Sequence, residues 1–402
     1  MCSSDLTTGW WIWAYSATLA EKMKAIPIYL SLLLALFSCG NRAESRGGSI
    51  MEMNANYPPK YAEGFTIFND STGTKIRVFN PWQGASNVSL EYKLVPRGDI
   101  SKFSSNPGAI PVPLERVVCM SSSHLAFIEA LGMGQRIVGV SGAGFAFSSA
   151  LRAMVDEGKI FEVGYDQGIN YEQIARLNPD VILCYGIGSE SMAYLKKFSE
   201  MGMRIMFIGD YLESDPLGKA EWIKVLGCLF NCYGKADSIF SSIESSYLKT
   251  KKQVERCSSK PTIFMNMPFR GVWYFPGNDS YMVKLVHDAG GSYVFENLKG
   301  SRSFPLGIEK AFEAGMGSDI WLNPGSASSL TDITSFDTRL AQLPPVVSGK
   351  VYNNNLRMSR GGGNDFWESG TVHPELILHD LISIFHPEIA NDSLLVYYQK
   401  LE

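Results

Sequence analysis

RVVCMSSSHLAFIEALGMGQRIVGVSG, residues 116–142, carries the pattern on which the fold turns. A short apolar run ends in serines, a segment with helical spacing follows, and a second short run ends in Ser-Gly. DVILCYG (180–186) and RIMFIGD (204–210) repeat the rhythm. Short β-branched runs that alternate with helices predict a parallel, doubly wound sheet, here a first lobe over residues 114–233. After Asp210 the alternation gives way to YGKADSIFSSIESSYLKTKKQVER (233–256). Its apolar positions Ala236, Ile239, Phe240, Ile243 and Tyr247 follow i, i+3, i+4 steps with no Pro or Gly from Lys235 to Arg256, which predicts one unbroken helix over about 234–257, roughly 30 Å long.

Strand-helix alternation then resumes in PTIFMNM (261–267), YMVKLVHDAGG (281–291), DIWLNPG (319–325), GKVYNNN (349–355) and ELILHDLISIF (375–385), a second lobe over 258–402. The lobes share a unit. NYEQIARLNPDVILCYG (170–186) and IEKAFEAGMGSDIWLNPG (308–325) each place a Glu at a helix start, then a break, an Asp and an apolar strand ending in a Gly-bearing loop. The expected architecture is α/β: two doubly wound α/β lobes joined by a single long helix, their loops facing across a cleft. Residues 57–113, with the runs GFTIFND, KIRVFNPW and SLEYKLVPRG between turn signals, read as a small β-ribbon ahead of the lobes.

Residues 25–38 (AIPIYLSLLLALFS) follow Lys22 and Lys24 and precede Cys39-Gly40-Asn41. That is a signal-peptide layout too short for a comfortable membrane span, and Leu36-Phe37-Ser38-Cys39 resembles a bacterial lipobox. The expectation is a signal peptide over 23–38, lipidation of Cys39 and a polar tether over 39–56, which anchors an exported lipoprotein to the membrane on the periplasmic side. Residues 1–22 fit no part of such a signal and read as a non-native leader.

The 402 residues are 45% hydrophobic and 19% charged, which makes a globular chain. A net charge of −4 offers no broad attraction to nucleic acid. Seven cysteines without repeated spacing make no disulfide scaffold, and Cys119, Cys184, Cys228 and Cys232 read as buried small hydrophobes. No Gly-Lys pair is followed by Ser or Thr, no third glycine completes a dinucleotide fingerprint, and no Gly-x-Ser-x-Gly elbow occurs. The expectation is a binding protein without catalytic residues, cofactor or metal. His373, His379 and His386 read as surface or helix-end histidines.

The informative residues are aromatic and cationic side chains at predicted loop tips. Phe145, Tyr165, Asp166 and Tyr185 belong to the first lobe. Arg270, Trp273 and Tyr274 lie in FRGVWYFPGNDS, Arg302 and Phe304 in GSRSFPL, and Arg357, Arg360 and Trp367 in LRMSRGGGNDFWESG. Aromatic walls with a few arginines suit a large, flat or partly anionic ligand.

In their order, the segments LERVVCMSSSHLAFIEALGMGQRIVGVSG, VGYDQGINYEQIARLNPDVILCYG, the crossing helix, the Gly277–Ser280 turn and the helix ending Ala289-Gly290-Gly291 resemble the periplasmic binding proteins for ferric siderophores, haem and vitamin B12, over about residues 114–390. The resemblance implies a monomeric receptor that delivers a ferric siderophore, haem or cobalamin to an ABC importer permease. It also implies permease docking through one glutamate per lobe, at positions matching Glu172 and Glu309. Asn170 and Gln173 resemble a capping box, which puts Glu172 in an exposed first turn favoured by the helix dipole. Asp166 departs from the aromatic common there in cobalamin binders, while Tyr185, Tyr274 and Phe304 keep aromatic character. Tyr165, Tyr185 and His124 are candidate axial ligands for haem, and the arginines would face a charged siderophore chelate. The alternatives are a zinc or manganese receptor of the related two-lobed fold, with about four clustered His and carboxylate ligands, or more distantly a surface-anchored enzyme.

Overall fold

The computed structural model describes residues 57–165, 168–187, 195–257, 259–390 and 394–402. The expected leader, signal peptide, lipidated Cys39 and tether, together with Asp166, lie outside the described residues.

In the first lobe, β5 (Val117–Cys119), β6 (Ile137–Val140), β7 (Phe161–Glu162), β8 (Val181–Cys184) and β9 (Ile205–Phe207) form a sheet in the order β7-β6-β5-β8-β9. All its pairings are parallel. β5, β6 and β8 are buried along their whole length, as strands covered on both faces must be. The chain winds outward from β5 to β6 and β7, then returns to β8 on the other side, so the topological switch lies beside β5. Ser121 caps the helix Ser122–Ala130 by accepting the Ser123 N–H, and that helix carries the chain from β5 to β6.

The second lobe repeats the scheme with β10 (Thr262–Met265), β13 (Ser292–Tyr293), β15 (Ile320–Leu322), β16 (Val351–Asn353) and an antiparallel edge strand β17 (Gln399–Lys400), in the order β13-β10-β15-β16-β17. It departs from the first lobe immediately after β10. There β11 (Pro268–Phe269), β12 (Val272–Pro276) and β14 (Ser303–Leu306) make a separate antiparallel sheet. Arg270 and Gly271, with φ of 50° and 80°, form the two-residue turn between β11 and β12, the positive φ that such hairpin turns need.

The linking helix spans Tyr233–Lys251 and tightens into a 3₁₀ turn at Lys252–Val254, shorter than the sequence spacing predicts. Tyr233, Ala236, Phe240, Ile243 and Tyr247 form its buried stripe. A Cβ at Gly227 would stand 2.5 Å from the Ala236 Cβ, so the helix start fits closely against the first lobe. At the other end the Tyr247 hydroxyl donates to Asp288 at 2.8 Å and Lys251 pairs with the same carboxylate at 2.7 Å.

The N-terminal ribbon is a four-stranded sheet, β1 (Phe65–Asp70), β2 (Gly73–Phe79), β3 (Ser89–Pro96) and β4 (Ala109–Val112). Two buried glutamates of the first lobe hold the chain leading into it. Glu221 accepts the N–H groups of Lys60, Tyr61 and Ala62 at 2.8–3.1 Å, and Glu213 accepts those of Glu63 and Gly64 at 3.0 and 2.9 Å. The apolar residues of the sheet join the same continuous core as both lobes.

Candidate functional site

The loops after the first lobe's strands converge on a cleft of about 680 Å³ between the lobes. Met120 to Ser123 follow β5, Ser141, Gly142 and Phe145 follow β6, Tyr165 follows β7, Tyr185 and Ile187 follow β8, and Asp210 to Ser214 follow β9. These are the carboxyl ends of the strands around the switch point, where open α/β sheets bind ligands. From the second lobe come Pro276 at the end of β12, Ser280 to Met282 at a helix start, Ser301 to Ser303 at the start of β14, and Gly362, Gly363, Asn364 and Trp367. Gln83 and Gly84, from the β2–β3 loop, complete the lining.

The walls are aromatic. Phe145 meets Tyr165 edge-on with ring centroids 5.4 Å apart, and Tyr185 meets Tyr211 edge-on at 6.1 Å. Tyr165 is 41% exposed, an open face for a ligand to stack on. The rest of the lining is rich in hydroxyls, with Ser121, Ser122, Ser123, Ser141, Ser214, Ser280, Ser301 and Ser303. Its charged members are Asp210, Glu213, Lys219 and Arg302. Glu213 is committed to the fold, since its oxygens accept from Glu63, Gly64 and the Trp222 indole.

Asp210 and Lys219 are buried at the cleft floor, 1% and 9% exposed. Ser123 Oγ donates to Asp210 Oδ1 at 3.2 Å. Asp210 Oδ2 has no hydrogen-bond partner among the described residues and lies 3.9 Å from Lys219 Nζ, which sits over the Tyr281 ring at 5.1 Å. Burial pushes the Asp210 carboxyl up and the Lys219 ammonium down, each resisted by the other's charge.

Five of the residues predicted to bind ligand meet here: Phe145, Tyr165, Tyr185, Arg302 and Trp367. The other predicted residues that are described stand elsewhere. Trp273 is fully buried, stacked on Phe275 at 5.6 Å with its indole donating to the Met265 carbonyl, so the expectation that it faces the cleft is corrected. Its neighbour Tyr274 is half-buried away from the lining, as is Phe304, whose ring lies under the Arg302 guanidinium at 4.8 Å. Arg270 is held in the hairpin turn over Phe269. Arg357 pairs with buried Asp365 at 2.7 Å and covers the Phe147 ring, and Arg360 is exposed outside the cleft. His124 is fully buried behind the serines and does not line the cleft, and desolvation pushes its pKa down to about 3, so it stays neutral.

The Gly-rich loop joins the lobes. A Cβ at Gly361 would stand 1.9 Å from the Gly144 carbonyl oxygen, and one at Gly363 1.7 Å from that of Phe145. Beside this contact, buried Glu368 of the second lobe accepts the N–H groups of Phe147 and Ser148 of the first, at 2.7 and 2.9 Å. Among the described residues, the group arranged as metal ligands is Cys257, His386 and Glu388, none of which lines the cleft. The zinc or manganese alternative therefore finds no ligand cluster there among the described residues.

Sequence reading missed Asp210, Lys219, Tyr211, Tyr281 and Gln83. Asp210 carried a signal, since it ends a strand-like run, RIMFIGD, as the serines end β5. Lys219 carried none.

The sequence pattern of the family described as periplasmic binding protein matches residues 117–352, more than half of the chain. An uncharacterised lipoprotein of Methanocaldococcus jannaschii is 28% identical over 92% of this chain and 94% of its own. The iron(3+)-hydroxamate-binding protein of Bacillus subtilis is 22% identical over 74% of each. Among solved structures, a periplasmic haem-binding protein of Pseudomonas aeruginosa superposes with a TM-score of 0.54 at 15% identity, covering 72% of this chain and 98% of the other. That likeness confirms the two-lobed α/β architecture.

Proposed function

The chain belongs to the periplasmic binding protein family, and on that premise we propose that it is the receptor of an ABC-type importer. It captures an iron chelate, haem or cobalamin between its lobes and hands it to the permease without chemical change. The observation that carries the reading is the aromatic cleft of about 680 Å³ at the strands' carboxyl ends, a volume suited to a ligand of several hundred daltons. The fit to solved structures whose names describe haem binding, and the relative named for iron(3+)-hydroxamate binding, support the ligand class. Relatives named as lipoproteins support an anchor at Cys39 outside the cytoplasmic membrane.

The fold makes this a receptor of small motion. The linking helix is fixed at both ends, by Gly227 against Ala236 and by Tyr247 and Lys251 on Asp288. The Gly-rich loop and Glu368 fasten the lobes a second time. Two separate connections leave little freedom for a wide hinge opening. Glu172 and Glu309 stand exposed in the first turns of the helices Tyr171–Leu177 and Ile308–Met316, and Asn170 caps the first by accepting the Gln173 N–H at 2.9 Å. Each carboxylate is placed to meet a cationic surface of the permease, and Glu309 also feels the Arg339 guanidinium.

The test is a titration of intrinsic tryptophan fluorescence with a ferric trihydroxamate, hemin, cobalamin, Zn²⁺ and Mn²⁺. Saturable quenching by one large chelate at micromolar concentration or below, lost in Trp367→Phe, is the expected result. Binding of the bare ions alone overturns the reading. Reversing both docking charges, Glu172→Lys with Glu309→Lys, is expected to abolish uptake in cells and leave the titration unchanged. Uptake that survives the double reversal removes the docking role.

A further inference from the structure

Three polar side chains at the cleft floor are buried, face the ligand space and lack full satisfaction by the protein. Among the described residues, Asp210 Oδ2 and Ser280 Oγ have no hydrogen-bond partner, although both belong to the lining. Lys219 Nζ offers up to three donors, yet its contacts there are a carboxylate oxygen at 3.9 Å, too long for a hydrogen bond, and the face of Tyr281. Buried polar groups in folded proteins are normally paired, because an unpaired one has lost its water without gaining a partner. Three such groups from two lobes around one floor form a site that a ligand completes.

The geometry points to a floor subsite, made by Asp210, Lys219 and Ser280, that receives an uncharged carboxamide carried by the ligand; this rests on the receptor reading above and specifies its ligand class. The subsite offers an acceptor and a donor on separate atoms and no net charge. A ligand carboxylate here would be repelled by Asp210, and a ligand ammonium by Lys219. A carboxamide has its own donor and acceptor on separate atoms, so its N–H groups meet Asp210 Oδ2 while its carbonyl accepts from Lys219 Nζ. Ser280 Oγ can serve either end. Burial that moves both ionisable groups toward neutrality leaves this pairing intact, since neutral forms still supply a donor and an acceptor. The flat body of the ligand then lies against Phe145, Tyr165, Tyr185 and Trp367 above the floor. A corrinoid, whose ring edge bears several carboxamides, meets this requirement, whereas haem presents two carboxylates.

The experiment compares wild type with Asp210→Asn/Lys219→Met and Ser280→Ala, using dicyanocobinamide and hemin as probes, with binding and thermal midpoint both read. The expected result is saturable cobinamide binding by wild type, weakened about tenfold or more in the double variant and less in Ser280→Ala, with hemin affinity moved less than cobinamide affinity in both. The unliganded double variant should melt no lower than wild type, because a buried ion pair left incomplete by the protein adds little stability. Cobinamide binding unchanged in the double variant overturns the subsite. Wild type that binds hemin and not cobinamide overturns the carboxamide assignment and leaves the receptor reading standing. If neither probe binds, the receptor reading loses its ligand class and the melting arm decides the subsite. A fall in the double variant's midpoint makes the pair structural and removes it, while an unchanged or raised midpoint retains an unsatisfied polar site.

Discussion

The two lobes treat their aromatic residues differently, although they share one plan. In the first lobe Phe145, Tyr165, Tyr185 and Tyr211 sit in loops that follow parallel strands, and all four line the cleft. In the second lobe Phe264, Trp273, Phe275 and Trp321 sit within strands and pack on one another, with centroids 4.9–5.8 Å apart. The cause is the antiparallel sheet after β10. In β12, Trp273 and Phe275 are buried while Val272, Tyr274 and Pro276 are partly exposed, the alternation of a sheet with one covered face. An aromatic cluster near a Gly-rich turn therefore reads as cleft wall only when a strand ends before it; inside a period-2 run it reads as core.

The sharpest way to break this contrast is truncation on each side of it. Trp273→Ala should cost about 3–5 kcal/mol in urea unfolding, the range for deleting a large buried aromatic. Tyr165→Ala, at an open position, should cost under about 1 kcal/mol and yet weaken chelate binding. A Trp273 variant that stayed stable but lost only binding would return that residue to the cleft.

The fastening between the lobes gives the next effect, through pH. Burial raises the Glu368 carboxyl from the ordinary range to about 7, and the nearby carboxylates Asp365 and Glu129 add to the rise, although the Phe147 and Ser148 N–H groups oppose it. The folded protein then holds a proton that the unfolded chain has released between about pH 4.5 and 7. Stability contributed by that proton is present below this window and is lost as pH rises through it. The loss is on the order of 3 kcal/mol for a shift of this size. Urea midpoints from pH 4.5 to 8 should fall less steeply for Glu368→Gln than for wild type, and equal slopes would falsify the assignment. Gly363→Ala, which drives a methyl group against the Phe145 carbonyl, should cost about 1–3 kcal/mol and loosen ligand binding with it.

Much of this was legible in the sequence. The parallel strands VVC, IVGV and VILC, the linking helix and the capped start of the helix after Asn170 follow from apolar periodicity and cap chemistry, which act over a few residues. The features that were not legible depend on partners distant in the chain. Gly361 and Gly363 read only as part of a loop carrying Arg357 and Arg360, but their requirement comes from Gly144 and Phe145, more than two hundred residues away. Lys219 gained its place at the floor from helix packing across the lobe boundary onto Tyr281. Glu213 and Glu221 had no local mark as the groups that hold the N-terminal sheet.

The N-terminal sheet provides the smallest expected effect and a third region to set beside the two lobes. Trp82 of its β2–β3 loop packs on Phe207 with centroids 5.5 Å apart, and a Cβ on Gly186 would stand 2.4 Å from the Trp82 Cβ. Gln83 N–H donates to the Gly186 carbonyl at 2.8 Å, and the Tyr211 hydroxyl donates to the same oxygen at 2.6 Å. The loop thereby fixes the backbone just after Tyr185, while Gln83 and Gly84 extend the lining. Because the backbone bond survives truncation of the side chain, Gln83→Ala should leave stability within about 0.5 kcal/mol of wild type and weaken chelate binding only a few-fold. Trp82→Ala removes the packing that holds the loop, so it should weaken binding more than Gln83→Ala and speed amide exchange at Gly186 and Ile187. If Gln83→Ala weakens binding more than Trp82→Ala does, the sheet acts through a direct ligand contact rather than by positioning Tyr185. Equal and unchanged affinities in both variants would make the sheet a structural cover on the first lobe, and the cleft a product of the two lobes alone.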